Sequence, residues 1–245
     1  MTSSRLRTAH GAETSGPSTI RAFFLLPLLR ELTLANVPID TILRSYGLSA
    51  TQLASLYERV PLRNFVALAE DAADRLSRPY LGLELGARFT PADLGPFYAV
   101  FLLAPNLQSA LQALSRFQSV WQTNTTLELR RGSSKSTFRY MIQDASIQPR
   151  CQDSEFALAT FTSIIRKLLG PKWHPSSVEL EHSIDDRAGR LAEFFRAPIH
   201  GECASNQLVI ATGDLDKPLR HFADPSDLDV MPNLERHLLE ILSPP

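Results

Sequence analysis

The pattern of apolar and polar positions changes its period partway along the chain. From about residue 19 to Trp121, apolar side chains recur every three or four positions, as on one face of a helix. Between residues 125 and 142 they alternate with polar ones, as in a strand. We therefore predict an α+β fold: a mostly helical N-terminal half, then a small antiparallel β-sheet with packed helices in the C-terminal half.

Several helices follow from this periodicity and from their end signals. Gly47 is placed to end one helix and Ser49 to cap the next, while Pro27 marks either a kink or a first turn. Asn106 is placed to cap the helix that follows it. The first predicted helix begins at about Thr19. The other predicted helices are Asp40–Tyr46, Ser49–Tyr57, Leu62–Leu76, Leu107–Gln122, Asp153–Leu169, Ile184–Phe195 and Asn233–Leu242.

Alternation around a short glycine-containing loop predicts an antiparallel hairpin, with arms Thr125–Arg131 and Lys135–Ile142. Its second arm points either Phe138 and Tyr140 inward or, one register away, Thr137, Arg139 and Met141. Ser177–His182, with Val178 and Leu180 on one side, and Asn206–Ala211 are the remaining predicted strands. Residues 214–229 are acidic and are predicted to be loop-like.

The stretch from Leu81 to Phe117 is the most distinctive part of the pattern. Gly82 and Gly86 are in helical phase, a polar turn follows at residues 90–93, and an apolar run extends from Leu94 to Ala104. Glycines spaced in this way allow two helices to pack closely. We therefore predict that the stretch forms the wall of a buried core or of an apolar pocket.

Composition narrows the class of protein. The 245 residues are 44% hydrophobic and 21% charged, with a net charge of −1, so no basic field favours nucleic acid. The helix–glycine–helix pattern around Gly47 also suggests a helix-turn-helix, but the third helix of this set, Leu62–Leu76, has a net acidic face that phosphates would repel. No apolar run is long enough to cross a bilayer, and we expect a cytoplasmic protein with a disordered leader at residues 1–18.

No catalytic or metal-binding pattern stands out. The six histidines have no metal-ligand spacing, no Gly-x-Ser-x-Gly or phosphate-binding loop is present, and adjacent carboxylates diverge on helices. Cys151 and Cys203 are isolated and are predicted to be free thiols, with a disulfide as the alternative. A haem site with one of the histidines as its axial ligand is a further alternative. We predict no catalytic residues, no metal and no cofactor.

Four segments together resemble a known family. LGLELG followed by DLGPFYAVFLLAPNLQSALQALSRF, within residues 81–117, resembles the N-terminal effector domain of AraC/XylS transcription regulators, often called arabinose-binding-like; Asn106 stands where that pattern usually has Thr. The segments Ala35–Leu53, Gly170–His182 and Phe194–Leu219 resemble other parts of the same domain. The resemblance extends over residues 19–222.

This resemblance implies a sensor of a small organic effector that dimerises and regulates transcription through a C-terminal helix-turn-helix pair. Residues 19–222 would form the effector-binding and dimerisation domain, and residues 223–245 a linker and terminal helix toward that DNA-binding domain, which this chain lacks. Partners would be the effector, a second copy as a homodimer, and DNA only through the missing domain. A ligand-free dimerisation module and a small enzyme with a cryptic site remain alternatives.

The resemblance does not transfer pocket residues by motif, so the expected lining is chosen by chemistry. Aromatic side chains would form the walls, and one amide and two guanidinium groups would serve as polar anchors. The predicted ligand-binding residues are Phe97, Tyr98, Phe101, Phe117, Trp121, Phe138 and Tyr140, with Gln118, Arg139 and Arg150 as anchors. For each residue, core packing or plain surface exposure is the alternative.

Overall fold

The computed structural model of the chain describes residues 16–49, 53, 58–89, 93 and 104–219. Several predicted features fall wholly or mostly outside this part: the leader, the helix at Ser49–Tyr57, the turn at residues 90–93, the apolar run at Leu94–Ala104, the loop at residues 214–229 and the terminal helix at Asn233–Leu242. The described residues form eight α-helices and two sheets, which confirms the α+β class.

The helices carry most of the described chain. A 3-10 turn at Ala22–Leu25 precedes the first of them. Their bounds are α1 Leu26–Leu34, α2 Ile39–Ser45, α3 Leu62–Arg75, α4 Leu81–Arg88, α5 Leu107–Trp121, α6 Cys151–Leu169, α7 Ala188–Phe195 and α8 Thr212–Leu215. The strands are β1 Thr19–Arg21, β2 Arg59–Pro61, β3 Thr125–Arg130, β4 Lys135–Ile142, β5 Ser177–Glu179, β6 Ile199–His200 and β7 Asn206–Ala211.

The predicted helical start at Thr19 is wrong. Residues Thr19–Arg21 pair antiparallel with Arg59–Pro61, and the helical turns begin only at Ala22. A three-residue strand has no detectable alternation, and its partner lies about forty positions away, so local pattern cannot reveal it. Pro27 occupies the first turn of α1, as one of its two predicted roles required.

The sheet beside the helices has five strands in the order β3-β4-β7-β5-β6. The predicted hairpin is confirmed as β3 and β4, and Phe138 and Tyr140 point inward, with 0% and 6% of their surfaces exposed. The sheet is not wholly antiparallel, because β6 joins β5 in parallel. The short helix α8 follows β7 directly, and its last two residues, Asp214 and Leu215, were predicted as loop.

Helix α6 lies against α4 through the two predicted glycines. A Cβ on Gly82 would lie 2.0 Å from the carbonyl oxygen of Gln152, and a Cβ on Gly86 would lie 2.5 Å from that of Phe156. The backbone N–H of Gly82 donates to Oε1 of Gln152 at 2.7 Å, and Ser163 Oγ donates to the carbonyl of Gly86 at 3.0 Å. The glycines are therefore required by backbone-to-backbone contact, as the sequence predicted.

The opposite side of α6 faces α5 and the sheet. The Phe161 ring packs edge-on against Phe138 of β4, with centroids 5.0 Å apart. Helix α5 begins where Asn106 accepts a hydrogen bond from the Ser109 backbone at 2.9 Å, which confirms the predicted cap. Helix α6 is thus fixed on one side and borders the interior on the other. In the part of the chain described here, no helix has the length and apolar character needed to cross a membrane.

Candidate functional site

An interior cavity of about 50 Å³ lies where α5, β4 and α6 meet, close to β1 and the 3-10 turn. Five of its twelve lining residues are aromatic, and most of the others are aliphatic. The lining residues are Ile20, Phe24, Leu114, Trp121, Gln122, Tyr140, Asp153, Phe156, Ala157, Thr160, Phe161 and Ile164.

A chain of buried hydrogen bonds occupies one end of the cavity. The Tyr140 hydroxyl donates to Oδ2 of Asp153 at 2.8 Å and accepts from Nε2 of Gln122 at 2.9 Å. The backbone carbonyl oxygen of Gln122 accepts a hydrogen bond from Nε2 of Gln118 at 2.6 Å. Gln122 follows the end of α5, Tyr140 lies in β4 and Asp153 lies in the first turn of α6. The chain of hydrogen bonds therefore joins three separate elements.

Asp153 is a carboxylate in an apolar site. Its burial raises its pKa from 3.8 to about 7, although the Tyr140 hydroxyl and the Arg150 guanidinium oppose the shift. The carboxylates of Glu70 and Glu181 add to the increase. Burial beside Asp153 also raises the pKa of Tyr140 well above its ordinary value, so the phenol stays protonated. The site therefore holds a carboxyl group whose charge changes near neutral pH.

The Thr160 hydroxyl is a further polar group in the cavity lining. The Oγ1 atom of Thr160 is buried and forms no hydrogen bond with any described residue. Leaving a buried hydroxyl unpaired typically costs about 1–3 kcal/mol.

Beyond the Phe24 and Phe156 rings lies a smaller cavity of about 20 Å³, which shares both rings and Asp153 with the first. The carboxylate thus borders both spaces.

Two of the predicted aromatic residues, Trp121 and Tyr140, line the cavity. Phe117 is buried on α5 and Phe138 on β4, with 5% and 0% exposed, but neither borders the cavity. Phe97, Tyr98 and Phe101 lie outside the described residues. The structure therefore brings together only part of the predicted aromatic wall.

The three predicted anchors do not reach the cavity wall. Gln118 does not line the cavity, but its side chain donates to the backbone carbonyl of Gln122, which does. Arg139 lies on the other face of β4 and pairs with Glu128 at 2.7 Å. Arg150 donates to both carboxylate oxygens of Glu181, at 2.5 and 2.8 Å, so its charge is already matched.

Sequence reasoning missed Asp153, Gln122 and Thr160 as cavity residues. A signal for Asp153 existed: it lies three, seven and eleven positions before Phe156, Thr160 and Ile164, on the apolar face of a predicted helix. A carboxylate in phase with such a stripe is unusual enough to mark a site. Gln122 carried no comparable signal, since its role depends on contacts with other elements.

A second polar cluster joins the start of α6 to the loop before α7. The fully buried Glu155 accepts from Arg187 at 2.6 and 2.8 Å and lies 3.3 Å from Nε2 of His182. Burial would lower the pKa of His182, but the adjacent Cys151 thiol and Glu155 carboxylate raise it to about 9. Arg187 also covers the ring of Tyr80, the residue before α4, so this cluster links the starts of α4, α6 and α7.

Other candidate chemistry is sparse. Across the described ranges, no three His, Cys, Asp or Glu side chains are arranged to hold a metal ion. Cys151 and Cys203 are free thiols, as predicted. Two surface depressions of about 400 and 430 Å³ are larger than the interior cavity, and each contains an ion pair, Arg88–Glu31 in the first and Arg190–Glu193 in the second.

Comparison with known proteins gives two findings and one negative result. Residues 37–219 match the family described as the arabinose-binding domain of AraC transcription regulators, N-terminal. The fold is similar to the crystal structure of the transcriptional regulator CdpR from Pseudomonas aeruginosa, with a TM-score of 0.63 and 16% identity. That similarity covers 89% of this chain and 65% of the CdpR chain. No curated protein matches.

Proposed function

Because this chain belongs to the family of arabinose-binding domains of AraC transcription regulators, we propose that its interior cavity is the site of a small organic effector. A ligand-sensing regulatory domain is what the family and the fold support. The proposal assigns the protein no catalytic step.

The observation that carries the proposal is the buried Asp153–Tyr140–Gln122 chain at the end of an apolar cavity. A carboxylate buried in an apolar lining costs stability, and so does the Thr160 hydroxyl, which has no hydrogen-bond partner among the described residues. Groups that destabilise the fold persist at functional sites, where a ligand satisfies them. An apolar pocket with a few convergent polar groups is the usual form of a small-molecule site.

The size of the cavity suggests how binding would be communicated. Typical ligand pockets have volumes of about 300–1,000 Å³, whereas this cavity has about 50 Å³. An effector must therefore open the contact between α5, β4 and α6. Because α6 is fixed on α4 through Gly82 and Gly86, the movement would fall on α5 and the sheet. A ligand that binds the opened form better shifts the population toward it.

Two further parts of the proposal concern assembly. We propose that the domain works as a homodimer, and that DNA is contacted through a helix-turn-helix unit outside the described residues. With a net charge of −1, the chain has no field that would attract DNA by itself. An effector-dependent change at α5 would then alter how the attached units meet DNA.

The test is a thermal-shift screen of a broad panel of small metabolites. A compound that binds only the folded state must raise the melting temperature. Ala157→Leu fills the cavity from α6 and should abolish the shift. Ala87→Leu makes the same change at an exposed position of α4 and should preserve it.

The small volume favours one alternative, a ligand-free dimerisation module. In that case no compound in the panel would shift the melting temperature. A shift that survives Ala157→Leu unchanged would instead refute the cavity as the site. Sedimentation of the same samples measures the dimer separately, so the two parts of the proposal can fail independently.

A further inference from the structure

We propose that the effector of this cavity is a small organic cation: an ammonium group carrying a short hydrocarbon or aromatic part. The inference rests on the proposed function, because it concerns the same cavity. It is carried by two features of the lining: its aromatic walls, and a carboxylate with no cationic partner inside the cavity as far as the described residues line it.

Four of the aromatic rings that line the cavity meet one another at steep angles. Phe24 and Phe156 meet edge to face at 6.4 Å with an interplanar angle of 87°, and Tyr140 and Phe161 meet at 6.3 Å and 63°. Trp121 forms a further part of the wall. Ring faces carry negative potential, so cages of this kind attract ammonium groups, and more strongly where water is excluded.

The carboxylate of Asp153 provides the opposite charge. Among the described residues that line the cavity there is no Lys, Arg or His. The Arg150 guanidinium interacts electrostatically with Asp153. Its hydrogen bonds, however, go to Glu181, because Nε and Nη2 donate to the two carboxylate oxygens of that residue. An ammonium beside Asp153 would form a buried ion pair with this carboxylate inside the cavity.

The same lining argues against other ligand classes. An anion would approach a carboxylate with no cation in the described lining to offset the repulsion. A sugar needs a hydrogen-bond partner for each hydroxyl, yet Gln122, Tyr140 and Asp153 already form a hydrogen-bonded chain. The described lining adds only the Thr160 hydroxyl and the indole of Trp121 as further polar groups. One charged head group with an apolar body fits better.

Binding of a cation should depend on pH, because Asp153 must be ionised. The groups that face it are Tyr140 from β4, Arg150 before α6, Glu70 from α3 and Glu181 after β5. Tyr140 and Arg150 favour the ionised carboxylate and the two glutamates oppose it, with burial raising the pKa to about 7 overall. Such a carboxyl is about one-tenth ionised at pH 6 and about nine-tenths at pH 8, so affinity should rise about tenfold.

The experiment is calorimetric titration of the full chain with three four-carbon probes: n-butylammonium, 1-butanol and butyrate. We expect n-butylammonium to bind at least about tenfold more tightly than either isostere at pH 8. Asp153→Asn should remove this preference and leave the affinity for 1-butanol within about twofold of its wild-type value. Asp74→Asn, at an exposed position of α3, is the matched control and should change nothing.

Each outcome has a distinct meaning. If 1-butanol or butyrate binds as tightly as the amine, the cation is refuted while an effector site remains. If none of the probes binds, both the cation and the cavity as an effector site are refuted. Should Asp153→Asn not fold, the wild-type pH series decides: affinity for the amine rises between pH 6 and 8 if the inference holds, and a flat profile overturns it.

Discussion

Replacing Gly82 by alanine would place a methyl group inside the backbone of α6. The new Cβ would lie 2.0 Å from the Gln152 carbonyl oxygen and 2.7 Å from its carbon. A helix backbone cannot rotate away as a side chain can, so α4 would have to retreat from α6 by about 1 Å or more. That retreat would also stretch the hydrogen bond from the Gly82 N–H to the Gln152 side chain.

The expected effect is a sum of three contributions. Overpacking a well-packed contact costs about 3 kcal/mol, at the upper end of the usual range because the obstacle is main chain. Loss of the buried hydrogen bond adds about 1 kcal/mol. Alanine recovers about 1 kcal/mol through its higher helix propensity. We therefore expect Gly82→Ala to lower the free energy of unfolding by about 3 kcal/mol.

Urea denaturation followed by circular dichroism would measure this change. Gly189→Ala is the matched control, because Gly189 also lies in a helix, but a Cβ added there would have no atom within 4 Å. There the propensity gain acts alone, and we expect a small stabilisation of up to about 1 kcal/mol. If Gly82→Ala were within about 0.5 kcal/mol of wild type, the close contact of α4 and α6 would be refuted.

Three further predictions concern buried polar groups. Asp153→Asn should stabilise the fold increasingly as pH rises from 4 to 8, by up to about 4 kcal/mol, because a carboxyl whose pKa rises from 3.8 to about 7 on folding loses its stabilising proton over that range. His182→Gln should destabilise most below pH 6.5 and progressively less toward pH 9, since folding raises that pKa to about 9. Thr160→Val should stabilise by about 1 kcal/mol by removing an unpaired hydroxyl, whereas Thr162→Val, which removes a bond to the Leu158 carbonyl at 2.8 Å, should destabilise by a similar amount.

Denaturant titrations over a pH series check all of these predictions. A difference between wild type and Asp153→Asn that is independent of pH would contradict the raised pKa of the carboxyl. For His182, an effect as large at pH 10 as at pH 6 would contradict the raised pKa of its imidazole beside Cys151 and Glu155. For the threonines, equal effects of the two substitutions would show that the Thr160 hydroxyl has a partner.

Local periodicity was sufficient for much of the fold. Helix α5 and the β3–β4 hairpin are set by contacts within a few residues of one another, so apolar spacing and turn signals locate them. The glycines of α4 were recognisable because both lie on one helical face. The pairing of β1 with β2 and the parallel addition of β6 depend on distant segments, and local pattern carries no trace of them.

The candidate site was harder to predict for the same reason. Trp121 and Tyr140 were identified as large aromatic side chains on inward faces, which sequence does reveal. The role of Asp153 depends on Tyr140, thirteen positions earlier on another element, and on the end of α5. Arg150 was predicted as an anchor because its charge was visible, whereas its pairing with Glu181 was not.

Hydrogen–deuterium exchange with and without a stabilising compound tests the central claim most directly. We predict that the compound slows exchange in residues 117–125, 138–143 and 150–164, which surround the cavity. Exchange in residues 185–195, at one of the surface depressions, should not change. Protection confined to that depression, with none at the start of α6, would contradict the interior cavity as the effector site.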